Sequence, residues 1–409
     1  MHERADVLIV GAGPAGLACA AVLRRVGVTA TVLERGRAPA TSWRARPAAL
    51  RLNTSRAFSH LPGLRFPRQA GTFPTRDHVV SYLESYAAHE HLEIRLDTEV
   101  LHIDRLTSGD DPTGPRWALT TSEAVLQARH VVVATGLLQV PFIPDWPGRD
   151  IYTGTLTPAA DYRDAIMFRG RDVLVVGAGC SGMEIAADLA DGGAATIHLS
   201  IRTSPNILLR SIAGLPGDPA AMLLLRLPPR TADAWLTPMR RLTIGDLTAY
   251  GLPTPAEGPF QRLARTGDGP AVVDRAVLHH VRSGRIQIVA EVTALDNAGA
   301  SLADGRHITT DAIIAATGYR TALPPLVGHL DILDDHGRPT VSGGAQAAPG
   351  LWFIGFHPQP GQLSALGAEA RKVAAGIAGD IHPPTSGDHD LPDTRGMGKL
   401  RSAARRSPR

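Results

Sequence analysis

The sequence predicts an α/β protein of two Rossmann-like dinucleotide-binding domains, one inserted into the other, and three observations predict it. Gly11-Ala12-Gly13-Pro14-Ala15-Gly16 directly follows the apolar run Val7-Leu8-Ile9-Val10. Gly177-Ala178-Gly179-Cys180-Ser181-Gly182 directly follows Val173-Leu174-Val175-Val176. Two more apolar runs end in the same small-residue turn, Ala134-Thr135-Gly136 and Ala316-Thr317-Gly318, and they bracket the second glycine motif.

Each motif reads as a buried strand, a glycine turn and an alanine-rich helix. The first glycine makes the tight turn, the second admits a pyrophosphate close to backbone, and the third lets helix pack on strand. The pyrophosphate then rests on the helix N-terminus, where free N–H groups and the dipole favour negative charge. After the first motif, Thr29-Ala30-Thr31-Val32-Leu33 ends at Glu34, a carboxylate placed to accept from ribose hydroxyls. That implies an unphosphorylated ribose, as in FAD or NAD. After the second motif, Thr196 to Thr203 carries no acid at the matching place, and Arg202 can pair with a 2′-phosphate. NADPH is expected there. The alternative is that Arg202 is one solvated arginine among forty in a chain with only two lysines.

The Pro-rich stretch Val140 to Gly148 reads as a connector, since proline at that density stops helix and ladder alike. Pro324-Pro325 follows the second Ala-Thr-Gly turn. The expected boundaries are therefore 1–150 and 310–380 for the first domain, 151–309 for the inserted one and 381–409 for a disordered basic tail. Six basic residues and no acid lie between Arg395 and Arg409, so removing them takes the net charge from +3 to −3. The body then carries no basic footprint for nucleic acid. No apolar run nears the roughly 20 residues that span a bilayer, and the first strand begins too early for a signal peptide. Cys19 and Cys180 make no disulfide framework. A cytoplasmic enzyme, monomer or homodimer, acting on a small molecule is expected.

Beyond the glycine motifs, several stretches resemble one family, the flavin-containing monooxygenases, and within it the YUCCA-like branch with its bacterial relatives. They are Leu50-Arg51-Leu52-Asn53-Thr54, Phe73-Pro74-Thr75-Arg76, Ser181-Gly182-Met183-Glu184, Gly245-Asp246-Leu247, His280 to Ile286 and Gly350 to Phe356. The resemblance covers roughly Ala5 to Ala378. It implies FAD at the first motif and NADPH at the second, with O2 as co-substrate. It also implies cofactor contacts from Gly11, Gly13, Pro14, Ala15, Gly16, Glu34, Arg35, Trp43, Val100, Ala134, Thr135, Gly136, Gln362 and Leu363 on the flavin side. On the NADPH side it implies Gly177, Gly179, Ser181, Gly182, Glu184, Arg202, Thr203, Thr317, Gly318 and Tyr319. The implied reaction forms a flavin C4a-(hydro)peroxide that oxygenates a keto acid, a carbonyl, or a nitrogen or sulfur centre. Asn53 is the candidate polar side chain at the flavin–oxygen site; the alternative is a turn-forming asparagine.

One departure matters. The family motif aromatic-x-Gly-x-x-x-His-x-x-x-aromatic reads here Tyr152 to Tyr162 with Pro158 at the histidine. Proline offers no titratable group and no donor. The resemblance implies that this histidine sits in the linker near the nicotinamide and helps couple reduction to oxygenation. An uncoupled NADPH oxidase or a desaturase therefore stands as the alternative activity. A flavin-dependent disulfide reductase would need a cysteine pair by the flavin, which this chain lacks. Cys180 reads as merely small, Cys19 as buried core, and His279-His280 as lacking a third metal ligand.

Overall fold

A computed structural model of the chain describes residues 3–106, 113–267, 269–357 and 362–382. The expected tail beyond His382 and the side chain of Gln362 lie outside the described residues.

The first sheet grows from β1 (Glu3–Val10), whose last four residues are all buried. A strand covered on both faces reads as a continuous apolar run rather than an alternation. α1 (Pro14–Arg25) starts on a proline, which fixes φ where no intrahelical N–H bond is lost. It is buried without a break from Ala15 to Leu23, because it packs on the sheet and on the helix Gln362–Ile381. Next come β2 (Thr31–Leu33), the short α2 (Thr41–Arg44), α3 (Arg76–His89) and β3 (Glu93–Arg95). A hairpin follows, β4 (Val100–Arg105) and β5 (Trp117–Thr121), and then the long β6 (Val125–Val133). The strand order is Gln346–Ala348, Leu351–Phe353, β6, β1, β2, β3, with β5 antiparallel on the first half of β6. β1 thus stands between β2 and β6, at the point where the strand order reverses. Ligands of open parallel sheets bind there.

The connector holds β7 (Val140–Pro141), which pairs antiparallel with Tyr319–Arg320. Proline density was expected to stop any ladder here, yet a two-residue ladder forms, because proline is tolerated on a short edge strand. The second sheet contains β8 (Thr155–Pro158), β9 (Asp172–Val176) and, after α4 (Cys180–Gly192), β10 (Thr196–Ser200). Its order is Gln287–Val289, β10, β9, Ala312–Ala315, β8, and every pair is parallel. Each sheet is covered on both faces by apolar clusters.

Two expectations need correction. The strand Ala312–Ala315 belongs to the second sheet, between β9 and β8, so a boundary at 310 falls one strand too early. The chain leaves the second sheet through Tyr319–Arg320. The Tyr152 to Tyr162 segment, expected in a linker, supplies β8, and Pro158 pairs with Ala315 at its end.

His130 on β6 is fully buried, and burial lowers its pKa from 6.5 to about 4. Its Nδ1 accepts from Trp352 Nε1 at 3.5 Å, and Nε2 lies 3.0 Å from Asp380. Between pH 4 and 6.5 the unfolded ring binds a proton that the folded ring does not, so stability rises with pH across that window. The full effect is about 3 kcal/mol at one pKa unit per 1.4 kcal/mol. We expect His130→Gln to flatten the dependence of urea stability on pH between 4.5 and 6.5. An unchanged slope would assign the acid sensitivity to other groups.

Candidate active site

The two glycine turns divide the work between their residues in the same way. Gly11 and Gly177 have φ of +106° and +109°, and a Cβ on either would meet backbone, at 3.0 Å from the Ala134 oxygen and 2.5 Å from the Ala316 oxygen. Around Gly13 and Gly179 a Cβ would meet nothing within 4 Å, which is the room a pyrophosphate needs. A Cβ on Gly16 would fall 1.9 Å from the Gly11 oxygen, and one on Gly182 would fall 1.8 Å from the Gly177 oxygen. Neither α1 nor α4 has a side-chain N-cap, so their first N–H groups face the open space unclaimed by a capping side chain. These cradles fit two dinucleotides.

At the first turn, Glu34 is buried just beyond β2, and its carboxylate accepts from Ala12 N at 2.8 Å and Gly36 N at 3.0 Å. Each oxygen keeps a further lone pair for a ribose hydroxyl. Ala134 donates to the Val10 carbonyl at 2.9 Å, Thr135 carries a buried hydroxyl with no protein partner, and Gly136 turns at φ +83°. An orphaned buried hydroxyl beside a glycine cradle suits a ligand contact. Trp43 lies half-buried on α2, which enters through Ala40 in the left-handed region at φ 63°. Glycine adopts that region freely, whereas alanine at this position carries backbone strain. Arg35 is exposed and donates to Gln139 Oε1 at 3.1 Å. Val100 opens β4, and Leu363 is buried in the core behind α1.

At the second turn, Arg202 and Thr203 are exposed immediately after β10, where a 2′-phosphate would be met. A cavity of about 200 Å³ is lined by Gly179, Ser181, Gly182, Ala160, Gly318 and Tyr319 among others. Thr317 donates its hydroxyl to the Phe142 carbonyl, Gly318 turns at φ +99°, and Tyr319 OH accepts from Arg46 at 3.2 Å. The connector, the second glycine turn and the exit from the second sheet therefore share one cleft. Ala159 and Ala160, just after Pro158, also line it. The motif's aromatics do not. Tyr152 OH donates to the Thr310 carbonyl at 2.9 Å, and Tyr162, buried, donates to Asp188 on α4 at 2.5 Å.

Asn53 faces the second glycine motif. Its Nδ2 donates to Cys180 Sγ at 3.5 Å, and its Oδ1 accepts from Arg210 at 3.2 Å. Cys180 is thus more than a small filler, since it also accepts from Val272 N at 3.3 Å. Arg210, 3 % exposed, further donates to Asp274 at 2.5 Å and to Glu184. Burial pushes Glu184 up to about 7, against the pull of Arg210. Asp218, also buried, accepts from Ser55 N at 2.8 Å and Ser55 Oγ at 2.7 Å. Residues 53–55 are in this way tied to the second sheet's surroundings by two buried polar groups. The sequence reading missed Arg210 and Asp218; the one available signal was an arginine directly after Ile207-Leu208-Leu209. His280 Nε2 lies 2.9 Å from Asp191 Oδ1.

Comparison with known proteins agrees with this geometry. The family described as pyridine nucleotide-disulphide oxidoreductase matches residues 8–207. The indole-3-pyruvate monooxygenase YUCCA1 of Oryza sativa subsp. japonica is 36% identical over 380 residues, 92% of this chain and 91% of the relative. The probable indole-3-pyruvate monooxygenase YUCCA1 of Arabidopsis thaliana is 34% identical over 90% of this chain and 89% of its own. Among solved structures, the flavin-containing monooxygenase from Stenotrophomonas maltophilia superposes with a TM-score of 0.71 at 23% identity, covering 93% of this chain and 99% of that one. The NADP+-bound cyclohexanone monooxygenase from Rhodococcus sp. Phi1 gives 0.69 at 18% identity, covering 92% and 85%. Cys19, buried on α1, and Cys180, at the second turn, are both free thiols. With both cradles formed and relatives matched over nine-tenths of its length, the chain belongs to the YUCCA-like flavin-containing monooxygenases.

Proposed function

We propose that this FAD- and NADPH-dependent monooxygenase oxygenates a small α-keto acid, with indole-3-pyruvate the first compound to test. The observation that carries the reading is the shared cleft, which brings the second glycine turn up to the connector, joined to identity with indole-3-pyruvate monooxygenases over most of the chain. When bound, the cofactors supply the hydride and the activation of O2. The chain's own residues seat and shield them. Gly13 and Gly179 give the two pyrophosphates room beside the N-termini of α1 and α4. Glu34 holds the flavin-side ribose, and Arg202 reads the 2′-phosphate. Arg210 fixes Asn53 toward the second motif, so that a polar side chain stands between the two dinucleotides. The flavin domain then comprises residues up to the connector and those after Arg320, with the NADPH domain between them. Among the described residues no helix is long and apolar enough to cross a membrane. We place the enzyme in the cytoplasm as a monomer or homodimer.

The test is turnover of indole-3-pyruvate with NADPH under 18O2. Label in the carboxylate of the decarboxylated acid, with CO2 released in step with NADPH consumed, is the expected result. NADPH oxidation that yields only H2O2, here and with simple ketones, would overturn it in favour of an oxidase. Pro158 is the observation that favours that second reading, since position 158 itself, at the end of β8, offers no side-chain donor. Pro158→His is therefore expected to lower the H2O2 formed per NADPH when substrate is absent. A leak unchanged by the substitution would remove position 158 from the coupling argument.

A further inference from the structure

Far along the first sheet from either glycine motif in sequence, three potential ligands converge on one point. His102 and Asp104 are two apart on β4 and so face the same side of the strand. His329 comes from the single 3-10 turn Gly328–Leu330, which follows the helix Leu323–Val327 packed on β4. His102 Nε2 lies 3.3 Å from Asp104 Oδ1, and His329 Nε2 lies 3.2 Å from the same oxygen. One ligand atom from each residue falls within 4.8 Å of the others. The imidazoles stack with centroids 4.2 Å apart and planes 19° from parallel.

His102 Nδ1 lies 3.1 Å from the Pro325 carbonyl, which can only accept, so Nδ1 carries the proton. In the neutral ring Nε2 is then a bare lone pair facing a carboxylate oxygen. One added proton gives Asp104 a donor from each ring, while protonating both would stack two cations face to face. Among the described residues Asp104 forms ion pairs with these two imidazoles only. A cation at the centre would engage all three ligand atoms at once. Four-coordinate ligand atoms about 2.0–2.2 Å from zinc stand on the order of 3.4 Å from one another, close to the two separations observed. The bond from Nδ1 to a backbone carbonyl is the outer-shell contact that metal-binding histidines use to fix tautomer and orientation. Two imidazoles and one carboxylate suit zinc, copper, nickel or cobalt rather than calcium or magnesium.

We propose that His102, Asp104 and His329 form a binding site for one zinc-class divalent cation, with water completing its coordination. The site clamps the Gly328–Leu330 turn to β4. It is independent of the reading of the catalytic function.

The experiment uses untagged, FAD-loaded enzyme stripped with chelator and titrated calorimetrically with Zn2+, then with Co2+ followed by its visible absorption. One Zn2+ per chain, intense cobalt bands of a low-coordinate site and a Zn2+-dependent rise in Tm are expected. His329→Ala, His102→Ala and Asp104→Asn each alter an exposed or half-exposed side chain, so folding is checked by FAD content. Each should weaken Zn2+ by about tenfold or more and abolish the rise in Tm. No binding by the parent enzyme would overturn the proposal. So would binding unchanged in both histidine variants, which would place the ion elsewhere.

Discussion

Gly16→Ala should purify colourless, while Gly182→Ala should purify yellow and yet resist reduction by NADPH. The two substitutions are the same in chemistry and in local geometry, with the new Cβ 1.9 Å or 1.8 Å from the carbonyl oxygen of the first glycine of its turn. Neither oxygen belongs to a flexible side chain, so the backbone of the turn itself has to open. Overpacking of that kind costs about 1–3 kcal/mol or more, and the distortion falls on the loop that faces the pyrophosphate. Because the turns serve different sheets, the losses should separate by ligand. Gly182→Ala should still bleach with dithionite, which needs no nucleotide site. If both variants lose FAD equally, or both keep NADPH reduction, the assignment of one dinucleotide to each turn is wrong.

The amino-acid sequence makes that separation legible because each turn is a local object. Strand, glycines and helix lie within some twenty consecutive residues, and each glycine has its own steric reason. The four-residue run Ala312-Ile313-Ile314-Ala315 carries no such information. It is buried on both faces, as β1 and β6 are toward their ends, and nothing in four small apolar residues says which sheet it joins. Pairing with β9 and β8 is decided by contacts more than a hundred residues away in sequence. The same holds for the Tyr152 to Tyr162 segment, whose aromatics hydrogen-bond to Thr310 and Asp188, partners that only the fold brings near. Glu34 and Arg202 are legible by their position after a strand. Arg210 is not, because its partners Asn53, Glu184 and Asp274 are scattered along the chain.

Arg210 is also where a single change should matter most to stability and to the meeting of the two dinucleotides. The guanidinium is almost wholly buried and spreads its donors over two carboxylates and an amide. Its carboxylate partners are 28 % and 52 % exposed, so removing the guanidinium leaves them partly within reach of water, at a cost of about 1–3 kcal/mol. Arg210→Ala should therefore lower Tm by several degrees while the enzyme stays yellow, since the first cradle is untouched. Reduction by NADPH should slow, because Asn53 loses the donor that fixes it against the second motif. The pH dependence gives the sign. Glu184 already titrates near 7, well above 4.5 for a free carboxyl, and without Arg210 it should rise further. A folded-state pKa above the unfolded one gives stability at low pH that is lost as pH rises through the folded value. The deficit of Arg210→Ala should thus be smaller at pH 6 than at pH 8. Adding Glu184→Gln should recover part of it at pH 8 and little at pH 6, with the coupling read from the double-mutant cycle. A deficit independent of pH, or flavin reduction at the parent rate, would leave Arg210 as packing and remove it from the path between the two cofactors.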